Sequence, residues 1–274
     1  MVKITAQEVN ALRQKTGAGM MDCKKALVEA EGDIEVAIDI LRKKGQKVAA
    51  KRGDREAKEG YVTARVNKAG NVGFIFSVNC ETDFVAKNED FRAIAEQIMD
   101  VVVANDPKNI NEVNALPFSG SDTIADILVA QTGKIGEKIE IGFFERLEGN
   151  SLTIYVHPGN QVVTMVATNK ANEQVARDVA MQAAAMAPVA LDENQVPQEI
   201  LDKELEIGKE LAIQEGKPAE MAENISKGRL KKFLKENTLL NQMFVKDNKI
   251  SIKQYVSSAG DGLEVTGFKR ISLQ

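Results

Sequence analysis

One order of elements occurs twice in this chain, and it restricts the fold more than any other feature. Tyr61 to Val66 alternates apolar and polar residues, Asn67-Lys68-Ala69-Gly70-Asn71 is turn-forming, and Val72 to Val78 resumes as a strand. Phe91, Ile94, Ala95, Ile98, Met99 and Val102 then recur at helical spacing. The succession returns as strand Leu152 to His157, turn Pro158-Gly159-Asn160, strand Gln161 to Ala167 and a helix from about Glu173 to Met186. A hairpin followed by a helix, written twice, predicts an α+β fold with two related subdomains built on antiparallel strands.

The two copies differ where strand passes into helix. Asn79 to Asn88-Glu89 in the first corresponds to Asn169 to Asn172-Glu173 in the second. The asparagines stand 9 apart in one and 3 apart in the other, so the first copy carries six extra residues. Those residues include a tip, Thr82-Asp83-Phe84-Val85. One reading is an ordinary capped turn, with Thr82 or Asp83 as N-cap and Phe84 tucked into the core. The other starts from the second copy, which makes the same join without them. Packing does not require the tip, and segments released from packing are where function concentrates.

The first 54 residues read as three short helices. Thr5 and Glu8 form a capping box, Thr16-Gly17-Ala18-Gly19 breaks the chain, Asp22 caps a second helix, and Asp33 caps a third. Met20 and Met21 are adjacent, and both cannot point into so small a core. Either one is core and the other merely exposed, or the pair offers a partner a pliable apolar contact. Arg42 to Lys58 is a basic helix tail or linker. Residues 1–58 carry 13 Lys and Arg against 9 Asp and Glu, so a basic head precedes an acidic body. Such a head suits an acidic partner or RNA, although a charge run also serves as a solvated face. Downstream, Thr132 to Glu137 reads as a glycine-punctuated loop. Pro197 to about Glu236 reads as an antiparallel helical hairpin, and Glu264 to Ile271 as a strand of the second sheet. The expected domains are 1–54, 55–147 and 148–274, the last with its hairpin inserted at about 197–236.

Composition narrows the function. The net charge is −4 and aromatics are 5%, without Trp, which disfavours a dedicated nucleic-acid binder that stacks bases. His157 is the only histidine, so a multi-histidine metal site is excluded by counting. Cys23 and Cys80 match no metal or redox spacing and read as reduced thiols. A nucleophilic Cys80 would need a base, and its strand phase points it inward. Glu81 and Asp83 as an acid–base pair have no legible pocket around them. Neither signal peptide nor membrane span is apparent, so a cytoplasmic protein is expected, with no cofactor, no metal and no enzymatic activity.

Two long motifs carry a resemblance. They are Arg13-Gln14-Lys15-Thr16-Gly17-Ala18-Gly19-Met20-Met21-Asp22-Cys23-Lys24-Lys25-Ala26-Leu27 and Asn79-Cys80-Glu81-Thr82-Asp83-Phe84-Val85-Ala86-Lys87-Asn88. With Lys134-Ile135-Gly136-Glu137 and Glu264-Val265-Thr266-Gly267-Phe268, the chain resembles the bacterial elongation factor Ts family, the nucleotide exchange factors of elongation factor Tu. The resemblance implies a ubiquitin-associated-like head, a core of two related subdomains and an inserted helical hairpin, without the C-terminal helical extension of some members. It implies that Leu12, Met20 and Met21 dock the head on Tu's nucleotide-binding domain. It further implies that Asp83 and Phe84 reach Tu's magnesium and phosphate region, that Ile135 and Gly136 approach the same side, and that His157 contacts Tu's third domain.

Overall fold

The structure, a computed structural model, describes residues 3–260 and 262–273. The chain divides into two compact units. The first comprises Met1–Thr63, Phe74–Glu145 and Leu273–Gln274, and the second Ala64–Gly73 and Arg146–Ser272.

The first unit opens with α1 (Ala6–Thr16), α2 (Met20–Glu29) and α3 (Ile34–Arg52). The Thr5–Glu8 capping box starts α1, and the Asp33 carboxylate accepts the amides of Glu35 and Val36 to start α3. Asp22 does not cap α2. The helix begins at Gly19-Met20, and Asp22 lies in its first turn, where it is paired with Lys44. Val9, Leu12, Cys23, Ala26, Leu27 and Ala37 close a small core among these helices.

Then come β1 (Glu59–Val66), β2 (Val72–Cys80), the single-turn α4 (Asp83–Ala86) and α5 (Glu89–Asn105). Next in the chain are α6 (Ile110–Ala115), a small β3–β4 hairpin (Pro117–Ser119, Asp122–Thr123), α7 (Ile124–Ile135) and β5 (Glu140–Glu148). The strands β1, β2 and β5 form one sheet in that order. β2 is buried from end to end, which explains its apolar run from Val72 to Phe76. The expected loop at Thr132 to Glu137 is instead the last turn of α7, with Gly136 as its left-handed cap (φ 83°). Gly133 stays helical because α3 crosses here. A Cβ on Gly133 would stand 2.5 Å from the Gly45 Cα, so only glycine lets the two backbones meet.

The second unit pairs β6 (Ser151–Val156), β7 (Val162–Thr168) and β10 (Val265–Ser272) in the order β10-β7-β6, with α8 (Glu173–Met186) across the sheet. Both strand pairs are antiparallel, and Val166 lies between Thr153 and Phe268. Val166, Val175, Val179, Ala183, Leu239 and Ile252 are central to the core. After a 3-10 turn at Glu193–Gln195 come α9 (Gln198–Gln214) and α10 (Ala219–Asn237), which pack chiefly on each other. Arg229 donates to both carboxylate oxygens of Glu215 at 2.8 Å and fixes the turn between them. β8 (Met243–Phe244), β9 (Asp247–Ser251) and α11 (Ile252–Ser258) complete the unit. Among the described residues no helix is long and apolar enough to cross a membrane.

Candidate partner-binding site

The six extra residues of the first copy become α4 and its flanks. Thr82 adopts the extended N-cap conformation, but its hydroxyl does not cap the helix. It donates instead to Glu137 Oε1 at 2.7 Å. Glu137 Oε2 accepts the main-chain amides of Glu81 and Thr82 at 3.1 and 3.0 Å. At the far end Arg92 Nε donates to the Ala86 carbonyl at 3.0 Å, and Asn88 caps α5 by accepting from Asp90 and Phe91. Both ends of a single helical turn are therefore tied down.

That anchoring leaves one large apolar side chain in the open. Phe84 is 83% exposed, while Ala86, two residues on, is buried. The core-facing alternative for Phe84 is thus excluded. Val85 is half-buried beside it. Asp83 forms an ion pair with Lys87 one turn later, at 2.6 Å. The hydrogen bond from Lys87 holds the Asp83 carboxyl below its ordinary range, so it is an anion at neutral pH.

Glu81 is the counterpart of Glu137. Its Oε1 accepts the Lys138 amide at 2.7 Å, and Arg52 Nη1 donates to both of its oxygens at 2.9 and 2.8 Å. The Lys138 amide and then Arg52 hold the Glu81 carboxyl below its ordinary range. Engaged in this way it is no general acid. Cys80 donates its thiol to the Thr82 carbonyl, and burial, assisted by the charge of Glu137, pushes its pKa up to about 12. A nucleophilic cysteine needs the opposite shift.

Other sequence-predicted residues fall into separate groups. Met20 and Met21 are 59% and 63% exposed on the head, whereas Leu12 is fully buried. Leu12 packs with Val9 and Leu27 in the head's own core and offers a partner no surface. Ile135 and Gly136 are half-buried at the end of α7, and Glu137 ties this segment directly to the tip. His157 stands exposed beside the β6–β7 turn of the second unit, its Nδ1 3.1 Å from the Tyr155 hydroxyl.

The sequence reading missed several residues. Val28 is exposed on the same helix as Met21, and the two line a shallow groove with Lys24, Lys25 and Glu29. Its seven-residue spacing from Met21 was the available signal. Arg52 and Glu137 fix the base of the tip from 29 and 56 residues away and leave no local pattern, and Glu81, weighed only as an acid, is a fastening instead. Three basic residues of the α3 tail form ion pairs within the protein: Arg42 with Asp122 and Asp126, Lys44 with Asp22, and Arg52 with Glu81. Lys43, Lys47 and Lys51 stand exposed along the same helix.

The model of the family described as Elongation factor TS matches residues 81–274. The chain belongs to the elongation factor Ts family. Its likeness to curated members extends over the whole length. It is 52% identical to Elongation factor Ts of Flavobacterium psychrophilum and 50% identical to that of Christiangramia forsetii, each over 276 aligned residues covering all of both chains. Elongation factor Ts of Porphyromonas gingivalis is 48% identical over 98% of each chain. Membership of the elongation factor Ts family makes this a translation elongation factor.

Proposed function

We propose that the chain is the guanine nucleotide exchange factor of elongation factor Tu, and that it acts in the cytoplasm. The observation that carries this reading is the bare Phe84 at the end of a turn fastened on both sides. A solvent-facing phenyl ring on a rigid mount has no role within its own subdomain. It suits a wedge entering another protein.

Residues 1–54 form the docking module, 55–147 the subdomain with the tip, and 148–274 the subdomain with the helical hairpin. The head meets Tu through Met20 and Met21, on a helix whose buried face packs with Leu12 in the head core. Thr82 to Val85 reach the magnesium and phosphate region, with Ile135 and Gly136 on the same side. His157 supplies a contact to Tu's third domain.

Magnesium demands near-ideal octahedral geometry and bridges phosphate to protein. Phe84 displaces the elements that hold its ligands, and the Asp83 carboxylate disturbs the shell around the ion. Nucleotide and exchange factor then weaken each other's binding by the same factor, as linkage requires. The factor stabilises a nucleotide-free conformation of its partner without making or breaking a covalent bond, and rebinding of GTP or GDP expels it.

The test is release of labelled GDP from Tu of the same organism. The full chain accelerates release strongly, and Phe84→Ala removes most of that acceleration while remaining folded. Stimulated release unchanged in a correctly folded Phe84→Ala protein overturns the wedge.

A further inference from the structure

We propose that Arg52 is a positioning residue that ties the head to the exchange tip through Glu81, so that both docking surfaces reach the partner as one preset pair. The proposal rests on the exchange-factor reading above.

The head and the tip are bridged by α3. This helix starts at Ile34, contributes Ala37 to the head core and runs unbroken to Arg52. At 1.5 Å per residue its length is about 28 Å. It is held along that length at three places. Arg42 reaches Asp122 and Asp126 at 3.1 and 3.4 Å, Gly45 meets Gly133 backbone to backbone, and Arg52 spans both oxygens of Glu81.

Glu81 is the last residue before the tip. Its side chain is only 15% exposed, and its Oε1 also takes the Lys138 amide. Glu137, next to Lys138, takes the amides of Glu81 and Thr82. The two carboxylates therefore cross, each binding the main chain of the other's segment. Arg52 adds the end of the head's helix to that crossing. One side chain thus fastens α3, the tip and the α7–β5 join at a single point.

Surface ion pairs contribute little, but this one is partly desolvated and shares its carboxylate with a main-chain donor. Without Arg52, Glu81 keeps a largely covered charge answered by one amide. The end of α3 and the base of the tip then lose their direct link and stay joined only through α7. Binding has to order them, which lowers the rate at which the wedge takes effect.

The experiment is a set of crossed variants of the full chain, read by GDP release from Tu at saturating factor. Arg52→Gln lowers the maximal rate roughly fivefold, with unchanged circular dichroism. Glu81→Gln, which still accepts the Lys138 amide, has the same effect, and the double variant is no worse than either single one. In a Phe84→Ala background Arg52→Gln costs less than about twofold, because it acts through the tip. Arg52→Lys restores part of the loss. A wild-type rate for Arg52→Gln overturns the proposal, as does an equal fold-loss with and without Phe84. Should Arg52→Gln not fold, Glu81→Gln and Arg52→Lys carry the same comparison. Failure of the wild-type chain to release GDP removes the exchange reading and this proposal with it. A wild type and Phe84→Ala that behave as expected, beside a silent Arg52→Gln, remove the proposal alone.

Discussion

The joins from β2 to α5 and from β7 to α8 solve one problem twice. In both, an asparagine near the strand end sends its side chain back to the main chain: Asn79 to the Ala57 carbonyl, Asn169 to the Gly262 carbonyl. In both, a second asparagine caps the helix, Asn88 for α5 and Asn172 for α8. The second join passes directly from one asparagine to the other. The first carries α4 between them, together with the side chains that hold it. The difference teaches what the architecture needs and what has been added to it. The hairpin and helix need two asparagines and a short link. The exposed phenylalanine and its fastenings are an addition.

Removing the addition is the strongest way to break the comparison. Deletion of Thr82–Lys87 leaves Asn79-Cys80-Glu81-Asn88, the spacing of the second join. The expected outcome is a folded chain by circular dichroism with no stimulated GDP release. A deletion variant that fails to fold would show that α4 carries packing duty after all. Next in size is Phe84→Ala, expected to slow stimulated release by tenfold or more. It should leave stability within about 0.5 kcal/mol in urea unfolding, since exposed side chains contribute little to the fold.

Glu137→Ala separates the holder from what is held. Three donors lose their acceptor, namely the Glu81 and Thr82 amides and the Thr82 hydroxyl. Urea titration should give a loss of about 1–3 kcal/mol, with release slowed less than by the deletion.

The second unit uses its own carboxylate internally, and pH sharpens that contrast. Burial acts to raise the Asp178 carboxyl, but hydrogen bonds from Lys246, Tyr255 and Gln174 win and hold it below the ordinary range. Its contribution to stability is therefore complete above the ordinary aspartate range and is lost as pH falls from there through the lowered folded-state value. Burial first, and then Asp178, push the Tyr255 phenol from 10.0 up to about 12. That contribution is complete below the ordinary value and declines as pH rises toward the shifted one. In acid, the urea midpoint of Asp178→Asn should fall less steeply than that of the wild type. The smallest expected effect is at Cys80. With its pKa near 12, iodoacetamide at pH 8 should leave it unmodified in the folded chain and label it after unfolding.

Much of this was legible without coordinates, for local reasons. Alternation marked the hairpins, helical spacing marked α5 and α8, and the Thr5–Glu8 and Asp33 caps lie within four residues of what they cap. The odd length of the first join marked the tip. Readings failed where a distant partner decided the outcome. Gly133 looked like a loop residue because the helix that needs it, α3, contributes Gly45 from far upstream. The fastening roles of Glu137 and Glu81 were hidden because their donors lie 29 to 57 residues away. Leu12 had the spacing of a core residue beside Val9, and burial follows that spacing rather than the motif around it.

A phenyl ring standing in water is adhesive toward any greasy surface it meets, including another copy of itself. Here its sequence neighbours are Asp83, Lys87, Glu89 and Asp90, a mixed fringe of charge that discourages self-association. The ring is kept on display inside that charged border. Replacing that fringe with neutral residues would turn the same ring into a seed for clumping whenever its intended recipient is scarce.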